Sequence, residues 1–217
     1  MRKIKFVKGE FYHIYNRGVD RRSIFSNKYD IERFLQCMDE FNTVSVTGGL
    51  YQNSFATPAV KTKQKSKRLV NIVAYCLNPN HYHLILEQLA EGGISQLMKR
   101  LGGGYSWYFN NRYQRSGALF QGSFKAKLID SNEYLLYLSA YINLNFKIHQ
   151  LSNRVAKLVR SSWEEYTTNQ GAGICKKGII LNQLGHKKDY KKFALDALPD
   201  LIEKRKITKE IAELLIE

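Results

Sequence analysis

The chain predicts an α+β domain on a central antiparallel sheet of ferredoxin-like type, with a small helical C-terminal appendage. Three observations carry this. Segments read in the order strand, helix, strand, strand, helix, strand, helix between Phe11 and Phe146, an order that closes naturally into one sheet with helices packed on it. The strand-like stretches are rich in aromatic and β-branched residues and alternate between faces, as a sheet that buries one face requires. The length of 217 residues and the 44% apolar content suit one buried core.

The first strand is Phe11–Asn16, with Phe11, His13 and Tyr15 on one face and Tyr12 and Ile14 on the other. Arg17-Gly18-Val19-Asp20-Arg21-Arg22 follows, and a glycine among arginines at a strand end predicts an anion-binding turn. Asp30–Phe41 is a helix: Ile31, Phe34, Leu35 and Met38 recur at its period, and Asp30 can cap it. Val44–Val46 has the makings of a strand extension. Residues 47–68 are polar and end in Lys61, Lys63, Lys65, Lys67 and Arg68, a basic loop.

Leu69–Leu77 is a buried strand that turns at Asn78-Pro79-Asn80 into His81–Leu86. Ile94–Tyr113 is helical on the stripe Ile94, Leu97, Met98 and Leu101, and Gly102-Gly103-Gly104 interrupts it, which suggests close approach by another backbone or a ligand. Phe124–Ile129 is a strand with Lys125, Lys127 and Ile129 on one face and Phe124, Ala126 and Leu128 on the other. Asp130, with Glu133 three residues on, opens a helix whose core stripe is Leu135, Leu138, Ile142 and Phe146. Tyr137, Tyr141 and Asn145 line its flank. Beyond it, Ser161–Tyr166 reads as an ordered turn, and Asp189–Leu198 and Ile207–Ile216 as two short helices. The division expected is residues 1–170 as one domain and 171–217 as a helical extension.

The net charge is +15, from 34 Lys and Arg against 19 Asp and Glu, which favours a polyanionic partner. Basic residues interleaved with 14 Tyr and 11 Phe suit single-stranded nucleic acid, where phosphates pair and bases stack. Arg17, Arg21, Arg22, Arg112, Arg115, Lys125 and Lys127 are the candidate DNA contacts, and Tyr105, Trp107 and Tyr108 candidate stacking platforms. Cys37, Cys76 and Cys175 form neither a zinc pattern nor a disulfide framework, so a reducing cytoplasm is expected. No apolar run has membrane-spanning length.

His81 and His83 project from one strand face. Two such imidazoles either ligate a divalent ion or are edge residues without a task. On the following helix Asn145 offers a neutral oxygen and Tyr141 a phenol able to attack a polarised phosphodiester; taken singly, they also read as a helix C-cap and a boundary aromatic.

Tyr12–Gly18, Pro79-Asn80-His81-Tyr82-His83-Leu84, Gly117–Ala126 and Tyr141-Ile142-Asn143-Leu144-Asn145, in that order, resemble the REP-associated tyrosine transposases, a branch of the single-tyrosine HUH transposases (His, bulky hydrophobic, His). Ser161-Ser162-Trp163 resembles a weaker downstream element. The resemblance spans roughly residues 11–166. It implies a ferredoxin-like HUH fold, Mg2+ or Mn2+ on His81, His83 and Asn145, and attack by Tyr141 on a single-stranded DNA phosphate. That attack leaves a 5′-phosphotyrosine and a free 3′-OH, beside a hairpin formed by repeated palindromic elements and without ATP. A monomer or homodimer in the cytoplasm, associated with the nucleoid, fits this picture. The sequence departs from the family at Phe146, where relatives carry Pro, and at the bulky Tyr82. A non-catalytic nucleic-acid-binding protein on the same fold is the alternative, and a hydrolase of another phosphoester a third class.

Overall fold

Strand β1 (Phe11–Arg17) sends Tyr12, Ile14 and Asn16 into the interior and leaves Phe11, His13 and Tyr15 half-buried, the alternation that its sequence predicts. It pairs antiparallel with β3 (His81–Gln88) on one side and β4 (Lys125–Ile129) on the other. β2 (Val70–Asn78) joins β3 through the two-residue turn Pro79-Asn80. The sheet order is β4-β1-β3-β2, extended past β2 by the short β5 (Arg160–Ser161). With α1 (Lys28–Glu40) and α2 (Gly93–Arg112) as crossovers, this is the antiparallel ferredoxin-like arrangement. The computed structural model describes residues 4–45, 67–149, 158–168, 170–185 and 187–214, with side chains to residue 207. Residues 47–66 of the basic loop and the proposed strand end at Val46 lie outside the described residues.

Each sheet face has its own core. On one, Tyr12, Ile14, Tyr82, Leu84 and Leu86 meet Ile31, Phe34 and Met38 of α1 and Ile94, Leu97 and Tyr105 of α2. Tyr82 fills this core, 5.2 Å from the Phe34 ring and 5.9 Å from Phe120, so a large residue between the two histidines is accommodated by aromatic packing. On the other face, Ala74, Cys76, Ile85 and Ile129 meet α3 (Asn132–Asn143). Behind α3 follow α4 (Asn145–Ile148), α5 (Trp163–Thr167), α6 (Gly178–Leu184), α7 (Lys187–Asp196) and α8 (Leu198–Leu214). Among the described residues from 171 onward there are thus three helices where two were expected. They pack on α3: Tyr190 is fully buried, and its hydroxyl accepts from Asn143 Nδ2 at 2.7 Å.

Helix starts differ from the sequence reading by a few residues. Asn27, not Asp30, caps α1, and Asp30 reciprocates from the third helical position, the two halves of a capping box. Ser131, not Asp130, caps α3 by accepting from Tyr134 N at 3.1 Å. Ser161–Tyr166 is not a turn alone, because Arg160–Ser161 adds an edge strand and Trp163 opens α5. Leu128 is 41% exposed, since β4 is an edge strand with little layered over it. The glycine run does not interrupt α2; only Gly104 is approached closely, by the Phe41 ring.

Candidate active site

Strand register assembles the site. Arg17, His81 and Asn78 lie side by side across β1, β3 and β2. The next row is Lys125, Tyr15, His83 and Cys76. Directly opposed residues share a face, so the histidine pair, Lys125 and Asn78 all point towards the α3 layer. Three segments from distant parts of the sequence are tied together at this end of the sheet. Gly18 N donates to Asn80 O at 2.8 Å, Val19 N to Leu119 O at 3.0 Å, and Gln121 N to Arg17 O at 2.8 Å. These bonds use up the amides expected to bind an anion at Gly18, so any anion there falls to side chains. Gly18 is required because a Cβ would collide with the Arg22 carbonyl.

The His81 and His83 rings are perpendicular with centroids 5.1 Å apart. Asn80 fixes the proton on His81. Its Nδ2 donates to Arg21 O at 3.2 Å, so its Oδ1 faces His81 Nδ1 at 2.7 Å and can only accept. His81 Nε2 is therefore a lone pair, and it accepts from Asn78 Nδ2 at 3.0 Å. The same nitrogen donates to Asn145 Oδ1 at 2.9 Å. His83 Nδ1 lies 2.9 Å from His13 Nε2. Burial holds the imidazoles neutral. His81 is lowered to about 4 by desolvation first and then by its neighbours His149 and Arg205, His13 to about 4 by desolvation and Lys127, and His83 well below its usual value by desolvation and then His13.

These residues fit a divalent ion. Neutral imidazole is the ligating form, and His81 Nε2 and Asn145 Oδ1 already converge on one point, held by the positive end of the Asn78 amide. Asn145 is fully buried and its Nδ2, like Asn78 Oδ1, has no hydrogen-bond partner. A buried amide pair left half satisfied costs about 1–3 kcal/mol per orphaned group, which an ion able to reorder the two amides would relieve. Among the described residues no three His, Cys, Asp or Glu side chains are grouped to hold a metal, and a metal held here would rest on two imidazoles and an amide oxygen.

Tyr141 stands over this pair, its ring 6.0 Å from His83 and perpendicular to it. Burial raises its hydroxyl's pKa, while the adjacent Asn145 amide and the Arg205 charge pull it back. Tyr141 and Asn145 are not on one unbroken helix: α3 ends at Asn143, and α4 begins at Asn145 after a break at Leu144. The Leu144 and Ile148 amides still bond four residues back, to Ala140 O at 2.9 Å and Leu144 O at 3.1 Å, so the break leaves the two side chains on the same flank.

A cavity of about 760 Å³ opens beside the histidines. Arg17, Arg21, Lys125 and Arg205 line it, with no Asp or Glu lining it among the described residues. Of the predicted cations, then, Arg17, Arg21 and Lys125 reach the cavity. Lys127 is on the same sheet face but lies over the Tyr134 ring, 4.9 Å from its centroid. Arg22 pairs with Asp20 at 3.2 Å, Arg112 with the buried Asp30 at 3.8 Å, and Arg115 bonds Asn110; these three are not brought to the histidines. Tyr105 is core rather than a stacking platform, its hydroxyl donating to Ile24 O at 2.6 Å. Tyr108 donates to Asp30 Oδ1 at 3.1 Å, and Trp107 is 58% exposed.

Sequence reasoning missed Asn78, His149 and Arg205. Asn78 was legible: the two-residue turn puts it opposite His81. Arg205 carried no local signal, because only tertiary packing brings α8 to the cavity.

Residues 52–145 match the family model described as "Transposase IS200 like". No curated protein sequence matches the chain. Among solved structures, a REP-associated tyrosine transposase bound to a REP hairpin is similar at 16% identity with a TM-score of 0.48, covering 76% of this chain and 83% of that one. His81, His83, Tyr141 and Asn145 all fall inside the matched segment, and the family to which the chain is thereby shown to be similar is that of the IS200-like transposases.

Proposed function

We propose that the protein is a metal-dependent single-stranded DNA transposase that cuts and rejoins DNA beside hairpins through a 5′-phosphotyrosine. The observation that carries this is the cavity itself: among the described residues four cations and no acid line it, a pair of neutral imidazoles faces it, and a phenol packs against one of them. His81, His83 and Asn145 hold Mg2+ or Mn2+. When bound, the ion supplies Lewis-acid polarisation of a phosphate oxygen.

The chain's own residues do the rest. Arg17, Arg21 and Lys125 hold backbone phosphates, which gives affinity with little sequence information. Tyr141 Oη forms the new bond to phosphorus as the P–O3′ bond breaks. The phenol gives up its proton and the departing 3′ oxygen takes one up, so the step is neutral in protons and electrons. The phosphotyrosine retains the energy of the diester, and attack by a 3′-OH reverses the step without ATP. The phenol is half-buried against the second core, which limits the access of water to the intermediate.

The test is incubation of the protein with a labelled oligonucleotide carrying a hairpin and a single-stranded flank, with Mn2+, followed by a denaturing gel. Label migrating with the protein supports the reading. Tight hairpin binding without adduct favours the alternative of a binding protein on this fold.

A further inference from the structure

Helix α8 lies wholly outside the segment that matches the transposase family, yet it closes one side of the cavity. Leu201 is 3% exposed in the second core, and Tyr137 of α3 donates to Asp200 Oδ2 at 2.6 Å. These contacts fix the face of α8 that meets α3. Arg205 is one turn beyond Leu201 and so shares that face. Its Nη2 lies 3.0 Å from His149 Nδ1, and its Nη1 is 3.5 Å from Ile148 O.

A guanidinium only donates, so His149 Nδ1 accepts, and His149 is a neutral imidazole with its proton on Nε2. The His149 ring in turn is 5.5 Å from that of His81. Among the described residues no carboxylate pairs with Arg205. Two acceptors leave part of its five-donor fork unused. A cation fixed by a neutral partner, uncompensated, in a cavity without acids among the described residues is built to meet an anion.

We propose that Arg205 is a catalytic residue that donates to a non-bridging oxygen of the reacting phosphodiester, with His149 as the positioning residue that aims it. The proposal rests on the transposase reading above. It makes the C-terminal helices part of the reaction centre and gives α8 a task there. No bond changes at Arg205: its role is to offset the charge that builds on the phosphate oxygens as Tyr141 Oη attacks.

The experiment compares wild type, Arg205→Ala and Arg205→Lys in single-turnover adduct formation at saturating DNA. Two substrates are used, one with an ordinary scissile phosphate and one with a methylphosphonate there, which lacks the charged oxygen. Arg205→Ala is expected to slow the ordinary substrate roughly a hundredfold, the scale of losing one preorganised donor. DNA affinity and melting temperature should stay close to wild type, and Lys should regain part of the rate. On the methylphosphonate the Ala deficit should vanish, because the oxygen that Arg205 serves is gone. An equal deficit on both substrates, or none on either, overturns the proposal and leaves the transposase reading standing. Absence of adduct from wild type on both substrates overturns that reading and the role of Arg205 with it.

Discussion

At the scale of single residues, the site depends on which ring nitrogen of each histidine carries a proton. Asn80 settles this for His81. For His83 the contact is His13 Nε2, and a ligating histidine needs its other nitrogen to donate outward. His13→Phe keeps the ring stack but removes the acceptor. We expect it to weaken Mn2+ binding about 10-fold or more, measured by calorimetry, whereas His13→Gln, which keeps an acceptor near the same place, should retain most of the affinity. Equal affinity in His13→Phe would mean that His13 does not orient His83. Removing a ligand is harsher: His81→Ala or His83→Ala should abolish metal-dependent cleavage, and full activity in excess EDTA would end the metal hypothesis. The His-x-His pair was legible because strand alternation fixes its geometry. The partner His13 was not singled out, because it comes from a neighbouring strand whose register only the folded sheet reveals, and Asn78, though the two-residue turn sets it opposite His81, was passed over.

At the scale of elements, the glycine run of α2 offers an internal control. A Cβ on Gly103 meets nothing within 4 Å, whereas one on Gly104 would come within 2.7 Å of the Phe41 ring. Gly103→Ala should stabilise the protein by up to ~1 kcal/mol through helix propensity. Gly104→Ala should lose that gain and cost about 1–3 kcal/mol from overpacking. Urea midpoints read both, and equal effects would show that α1 and α2 are not pressed together at this point. The sequence reading took these glycines as a mark of close approach by a backbone or ligand over the whole run, whereas the approach is by a side chain, Phe41, from the end of another helix and only at Gly104. Cap positions were misread by one to three residues for a related reason. Asp30 and Asp130 are good capping types, and only backbone geometry shows that Asn27 and Ser131 make the bonds.

At the scale of the molecule, the order of elements was legible in the sequence and the layers were only partly so. Apolar periodicity marks each strand and helix, and the order of strands and helices restricts the sheet to few arrangements. The packing of α6, α7 and α8 on α3 was not legible, because their apolar stripes are short and fit many surfaces. Charge acts at this scale too. With a net charge of +15 and Arg17, Arg21 and Lys125 around one cavity, binding of single-stranded DNA should weaken by roughly 0.7 log units per tenfold rise in salt for each phosphate neutralised. Affinity insensitive to salt would place the DNA elsewhere. Duplex of the same sequence should be cut little or not at all, since a stiff double helix resists bending into a site flanked by α3 and the sheet. No helix among the described residues is long and apolar enough to cross a membrane.

The account turns on Tyr141 as the atom donor in a covalent step, and one measurement addresses it directly. Hairpin oligonucleotide is incubated with Mn2+ and either wild type or Tyr141→Phe; adduct is scored on a denaturing gel, and the linked peptide is identified by mass spectrometry. The prediction is adduct on Tyr141 in the wild type, none in Tyr141→Phe, and hairpin affinity unchanged between the two. Adduct at wild-type level in Tyr141→Phe, or a linked peptide carrying Tyr134 or Tyr137 instead, would contradict it.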